Sequence, residues 1–174
     1  MAFLSWGKPR IFVKDLDAAS PKWAELPTPA EDSTSLETTK GDKTEAKIEG
    51  GANEDVRYKK NTYALNLNIR AAKNRKRPIS DVDGLVVNKY AVVVQPEDAT
   101  APGFAIESST VSVEDTFSSA DGGVWSYTFD ALQPAAGNQV KWGVITVTES
   151  AGSITDIKIK GDDDSSPKSV APTT

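Results

Sequence analysis

The sequence predicts an all-β chain, mainly antiparallel: a β-sandwich or barrel with one short flanking helix and a long extended hairpin. Three observations predict it. Apolar and polar residues alternate with period two through most segments, as in strands that bury one face. Gly, Pro, Asn and Asp punctuate those segments at short intervals. Only one stretch carries helix-start signals. With 174 residues and 38% hydrophobic content, the chain suits one domain with a real core. That domain is placed at residues 1–160, and 161–174 read as a disordered, acidic, Pro-containing tail.

Residues 10–16 make a short apolar strand around Ile11, Phe12, Val13 and Leu16. Ser20 and Pro21 break it, and residues 22–26 resume an extended path. Leu26-Pro27-Thr28-Pro29 follows as a rigid connector, because each proline fixes its own φ and disfavours helix just before it. Lys40-Gly41-Asp42 reads as the turn of a β-hairpin between residues 34–39 and 43–49. Only Leu36, Ala46 and Ile48 are apolar there, so neither face can make a core. An isolated two-stranded hairpin is marginal in water. Residues 34–49 are therefore either a loose exposed loop or an arm that pairs with a neighbouring subunit.

Gly50-Gly51 breaks the pattern before residues 55–71, where Tyr63, Leu65, Leu67 and Ile69 alternate with Ala64, Asn66, Asn68 and Arg70. Residues 79–88 are the helix candidate: Ser80 suits its cap, Asp81 and Asp83 its first turn, and Gly84 opposes it. Residues 90–94 are almost wholly apolar, as in a strand covered on both faces. Val111, Val113 and Phe117 mark a strand within 104–118, and Asp121-Gly122-Gly123 is a hairpin turn. Residues 124–132 put Trp125, Tyr127, Phe129 and Ala131 on one face, and strands follow at 140–148 and 154–160.

The absences narrow function. No Cys and no His means no disulfide, no thiolate nucleophile, no Ser-His-Asp triad and no His or Cys zinc site. Carboxylates are plentiful, but nothing places two across a cleft as glycoside cleavage needs. No glycine-rich phosphate loop opens a helix. Asp162-Asp163-Asp164 and Asp81-Val82-Asp83-Gly84 match no calcium loop. The reading is a non-enzyme with no catalytic residues, no metal and no cofactor. The first ten residues show no leader pattern and no run approaches a membrane span, so the expectation is a cytosol-like setting without membrane contact.

Residues 70–77 hold five basic residues, Arg70, Lys73, Arg75, Lys76 and Arg77. They could neutralise nucleic-acid phosphates, but the net charge is -5 and no aromatic residue in the run could stack on a base. A loop in solvent or in contact with another subunit, facing carboxylates such as Glu25, Glu31 and Asp32, is the simpler reading. Trp6, Trp23, Trp125 and Trp142 could offer a sugar-stacking platform, yet Trp125 and Trp142 lie on apolar strand faces and read better as core.

Residues 27–51, with Pro27-Thr28-Pro29, Leu36-Glu37-Thr38-Thr39-Lys40-Gly41-Asp42 and Ile48-Glu49-Gly50-Gly51, continue into Tyr58-Lys59-Lys60-Asn61-Thr62-Tyr63-Ala64-Leu65. Together with Asp115-Thr116-Phe117-Ser118-Ser119-Ala120-Asp121-Gly122-Gly123-Val124-Trp125, they resemble the major tail tube proteins of long-tailed bacteriophages, in particular versions from phages or prophages of Bacteroidales. The resemblance implies a virion structural protein, made in the bacterial cytoplasm, whose β-domains form hexameric rings. Hairpins from each subunit join into an inner barrel, and rings stack into a hollow tube that conducts DNA. Its implied partners are other copies of itself, other phage tail proteins, and DNA in transit without sequence-specific binding. Lumen candidates are then residues 34–49 and 55–71, with Leu36, Thr38, Lys40, Lys43, Glu45, Lys47, Ile48 and Glu49 as the inter-subunit and lumen hairpin, and the 70–77 cations are ring-contact candidates. An ordered N-terminal segment with Phe3, Leu4 and Trp6, or else a loop, is expected to engage the next ring. With Lys43, Glu45, Lys47 and Glu49 on one face, the lumen is expected to carry mixed charge. The alternative is a monomeric β-sandwich module that binds a glycan or protein ligand.

Overall fold

The structure is a computed structural model, and it describes residues 6–172. Phe3 and Leu4 lie outside the described residues. The strands, in order, are β1 (Arg10–Asp15), β2 (Trp23–Glu25), β3 (Ser35–Thr39), β4 (Lys43–Lys47), β5 (Asn53–Tyr58) and β6 (Thr62–Arg70). The second half adds β7 (Leu85–Gln95), β8 (Pro102–Ser118), β9 (Gly122–Ala131), β10 (Lys141–Ser150), β11 (Ser153–Lys160) and β12 (Lys168–Ser169). Every ladder is antiparallel, and the described residues contain no helix.

The architecture turns on β8, which is 17 residues long. Its start pairs with β10 (Pro102↔Val144, Ala105↔Lys141), whereas from Ser109 onward β9 takes that side (Ser109↔Ala131 through Ser118↔Gly122). Its other side stays with β7, across register shifts. At the crossing the buried Ser109 hydroxyl donates to the Tyr90 carbonyl at 2.7 Å. Two wings therefore share the β7–β8 ladder. One runs β12-β11-β10-β8-β7-β1-β2, and the other runs β3-β6-β9-β8-β7.

Strand alternation sorts the apolar side chains into two clusters. Leu65, Leu67, Ile69, Tyr127 and Phe129 of the second wing pack with Ile11, Val13, Val92, Val94, Phe104 and Ile106 of the first. The opposite face of the first wing gathers Phe12, Trp23, Ala91, Val93, Ala105, Ile145, Ile157, Ile159 and Val170. Adjacent residues such as Ile11 and Phe12, or Val92 and Val93, thus serve different clusters. Residues 91–94 are fully buried because both faces of β7 are covered here, which is why that run lacks polar alternation.

Three expectations are corrected. Residues 79–88 are not a helix: Asp83 (φ 49) and Gly84 (φ 84) are both left-handed, and Val82 and Leu85 exchange backbone hydrogen bonds at 2.9 and 3.0 Å. Asp-Gly with both residues at positive φ closes a tight hairpin turn, and Asp81 accepts from the Gly84 N–H at 2.8 Å. The acidic residues that suggested a helix start serve this turn instead.

Residues 34–49 do not form a hairpin with each other. β3 pairs with β6, and β4 with β5, so residues 35–47 are one leg and 53–70 the other. The turn lies at Gly50 (φ 94) and Gly51 (φ 84), where positive φ favours glycine. Gly41 serves close approach: a Cβ there would sit 2.0 Å from the Lys59 carbonyl oxygen.

The segment expected to be a disordered tail folds back onto the sheet over its described residues. β12 pairs with β11, the Val170 N–H donates to the Ile157 carbonyl at 2.8 Å, and Val170 is 1% exposed. The buried Lys14 ammonium donates to the Ala171 carbonyl at 2.7 Å. One apolar anchor outweighs the polar composition around it. Val170→Ala is expected to cost about 2 kcal/mol, from the lost methyl groups and the gap left behind, read as a lower denaturant midpoint at unchanged slope.

Candidate functional site

The hairpin legs leave the body of the protein after Thr39 and Thr62 and continue as an arm. Beyond the Thr39↔Thr62 pair, the Gly41 N–H donates to Asn61 Oδ1 at 3.0 Å and the Lys59 N–H to the Asp42 carbonyl at 2.9 Å. β4 and β5 then form a two-stranded sheet of their own. Cross-strand pairs put Lys43, Glu45 and Lys47 on one face with Tyr58, Val56 and Asn53. Glu45 sits between the two lysines, bonded to Lys43 and 3.7 Å from Lys47 Nζ. Its hydrogen bond with Lys43 holds the carboxylate below its ordinary pKa and the ammonium above its own. Lys40 lies over the Tyr58 ring at 5.3 Å. Ile48 and Glu49 are at the exposed tip, and none of these side chains joins either apolar cluster.

Leu36 and Thr38 sit apart from the arm. Both lie on β3, opposite Leu65 and Tyr63, and Leu36 is half-buried against the main cluster. Leu36 is thus part of the core margin.

The outward face that β3, β6, β9 and β8 present is polar among the described residues. Ser35, Glu37 and Thr39 of β3 lie beside Asn66, Ala64 and Thr62 of β6. Asn66, Asn68 and Arg70 lie beside Thr128, Ser126 and Val124 of β9, which face Ser112, Glu114 and Thr116 of β8. Asp130 stands between Ala64 and Thr110. Of the chain's 20 Lys and Arg, this face carries Arg70 at its end and Lys89 on β7 opposite Thr110, against Glu37, Glu114 and Asp130.

Both edges of that wing are open among the described residues. β3 pairs on one side only. On the other edge β1 reaches β7 no farther than Tyr90. That leaves Val87 fully outward, at 93% exposed, beside exposed Val82 and Leu85. Sequence reasoning missed this apolar row because it placed 79–88 in a helix.

The basic run splits by role. Arg77 is structural: it binds Asp81, reaches Asp115 at 2.8 Å and lies over the Trp125 ring at 5.3 Å. Those two carboxylates hold the guanidinium above its ordinary pKa. Arg70 donates to the Asp121 carbonyl and Arg75 to the Arg70 carbonyl. Lys73 and Lys76 are exposed, with no ion pair among the described residues. Trp142, read as core, stands outward on β10 at 53% exposed, 5.1 Å from Phe104 and 6.4 Å from Trp6.

Among the described residues no group of three or more acidic, His or Cys side chains could hold a metal ion. No described helix is long and apolar enough to cross a membrane. Comparison with known proteins adds no identity: no family model matches the chain, and no curated protein matches it in sequence.

Proposed function

We propose that this chain is a tail tube protomer, a structural protein that self-associates into hexameric rings stacked as a hollow conduit for DNA. One observation carries the reading: β4 and β5 form a two-stranded sheet of their own, and none of their side chains joins an apolar cluster of the described residues. Two strands alone are marginal in water, so the arm is built to be completed by a neighbour. The wing edges, β3 on one side and Val82, Leu85 and Val87 on the other, give each ring subunit a surface toward both neighbours. The architecture is then a sandwich of two wings, with the second lining the tube.

The lumen face in this reading is the outward face of that wing, and its charge is mixed with a small acidic excess, three carboxylates against two cations. Lys43, Glu45 and Lys47 belong to the arm and lie off this face. Small hydroxyl and amide side chains with three carboxylates, and with only Arg70 and Lys89 at the margins, give a passing polyanion little cationic hold. The copies work with other tail proteins in the virion after synthesis in the host cytoplasm. A glycan module would want at least two exposed tryptophans, whereas Trp23 is buried and Trp142 is the one standing well outward.

Negative-stain electron microscopy with light scattering, across a concentration series, tests the proposal. Rings or hollow tubes are expected, and particles that stay single at every concentration would overturn it. Ile48→Asp changes a half-exposed tip residue outside the core. It should leave the melting curve unchanged and weaken association at least about tenfold, the loss of one modest interface anchor.

A further inference from the structure

Two surfaces that the chain leaves uncovered complement each other, and we propose that they meet between copies. The β8–β9 tip of one chain seats in the groove beneath the Pro27–Pro29 connector of the next. This rests on the tube reading and names the surfaces of one copy-to-copy contact within it.

The tip presents Phe117, 81% exposed, opposite Gly123, which has no side chain to cover it. The loop at 71–76 is bound beside it: the Ala71 N–H donates to the Gly123 carbonyl at 2.9 Å, and Arg70 donates to the Asp121 carbonyl at 3.3 Å. That loop brings Lys73 and Lys76, exposed and without ion pairs among the described residues. An exposed aromatic ring beside free cations is an unfinished contact.

The groove has a volume of about 620 Å³. Its apolar walls include Trp6, Pro29, Leu36 and Phe104, and its charged residues are Glu31 and Asp32 with a single cation, Lys8. Both acidic residues are exposed, and neither carboxylate has an ion pair among the described residues. Ring meets apolar wall, and cations meet carboxylates.

Within one chain the two cannot meet. Residues 109–118 are an unbroken ladder with β9, so Phe117 stands roughly 26 Å beyond the bend of β8 at about 3.3 Å per residue. Phe104, in the groove, lies before that bend. Each copy therefore offers a tip to one neighbour and a groove to another, a head-to-tail contact that propagates. The charged part weakens with salt, since screening acts over about 8 Å at physiological ionic strength.

The test uses the full chain in sedimentation velocity and electron microscopy at low and high salt. Phe117→Ser and the pair Lys73→Glu/Lys76→Glu are each expected to weaken association at least about tenfold. Adding Glu31→Lys and Asp32→Asn to the lysine pair should restore it. Asparagine is chosen because Asp32 has φ 56, a conformation that Asn tolerates. All the altered side chains are exposed, so the melting curves should match wild type, and the rescue decides the matter even where one does not. Variants that assemble like wild type, or a fourfold variant without rescue, would overturn this contact while leaving the tube reading in place. A wild-type chain that never assembles would overturn both.

Discussion

Arg77→Ala is expected to remove about 2–3 kcal/mol of stability, below the 3–5 kcal/mol seen for fully buried pairs because Arg77 is partly exposed. In a chain of this size that lowers the melting temperature by about 5–10 °C. Asp81 is the reason. Its side chain is 4% exposed, and without Arg77 its charge is left with backbone N–H groups, chiefly that of Gly84, and no cation bound to it. The loss extends beyond one ion pair, because Arg77 also ties Asp115 and covers Trp125 at the rim of the main cluster. Asp81→Asn separates the two contributions. The amide can still accept from Gly84 and carries no charge, so its cost should be about 1 kcal/mol.

Acid titration gives the same site a second readout. The Arg77 hydrogen bond, with the Gly84 N–H second, holds Asp81 below its ordinary pKa in the folded chain. A carboxylate depressed in this way stabilises fully above its unfolded pKa near 4 and loses that contribution as pH falls through the folded value. Wild type should therefore lose stability below about pH 4, and Arg77→Ala should lose less over the same range. Equal acid slopes in the two proteins would show that Asp81 is not held by Arg77.

How much of this was legible in the sequence varies from element to element. Period two located the β6 and β9 faces residue by residue, because a half-buried strand needs that alternation. The apolar run at 91–94 announced a strand covered twice. Composition failed where one residue decides: Val170 anchors a segment whose other residues are mostly polar. Turn signals failed where one residue type serves two purposes. Asp81 and Asp83 suit a helix start as well as a tight turn, and only the left-handed backbone at Asp83-Gly84 separates them. The arm's lack of a core was readable from its few apolar residues. Its true partner strand was not, since pairing of β3 with β6 spans residues far apart in sequence.

Gly41 joins that lesson to function. Read locally, Lys40-Gly41-Asp42 is a turn. In the structure it is the point where two legs pass so closely that a side chain has no room. Gly41→Val would place a Cβ 2.0 Å from the Lys59 carbonyl oxygen and 2.7 Å from that of Lys60, both backbone atoms that cannot swing aside. The legs must part there, and the Asn61 and Lys59 bonds that carry the ladder from β3–β6 into β4–β5 are lost with them. The body should be nearly unaffected, because the arm contributes nothing to either apolar cluster. Hydrogen exchange should therefore show lost protection confined to about residues 41–60, with the β6, β8 and β9 amides still slow. Under the proposed tube reading, assembly should fall to background at concentrations where the wild-type chain associates. Normal tubes from Gly41→Val would mean that the arm docks without a continuous ladder behind it, and that its rigid attachment to the body is dispensable for self-association.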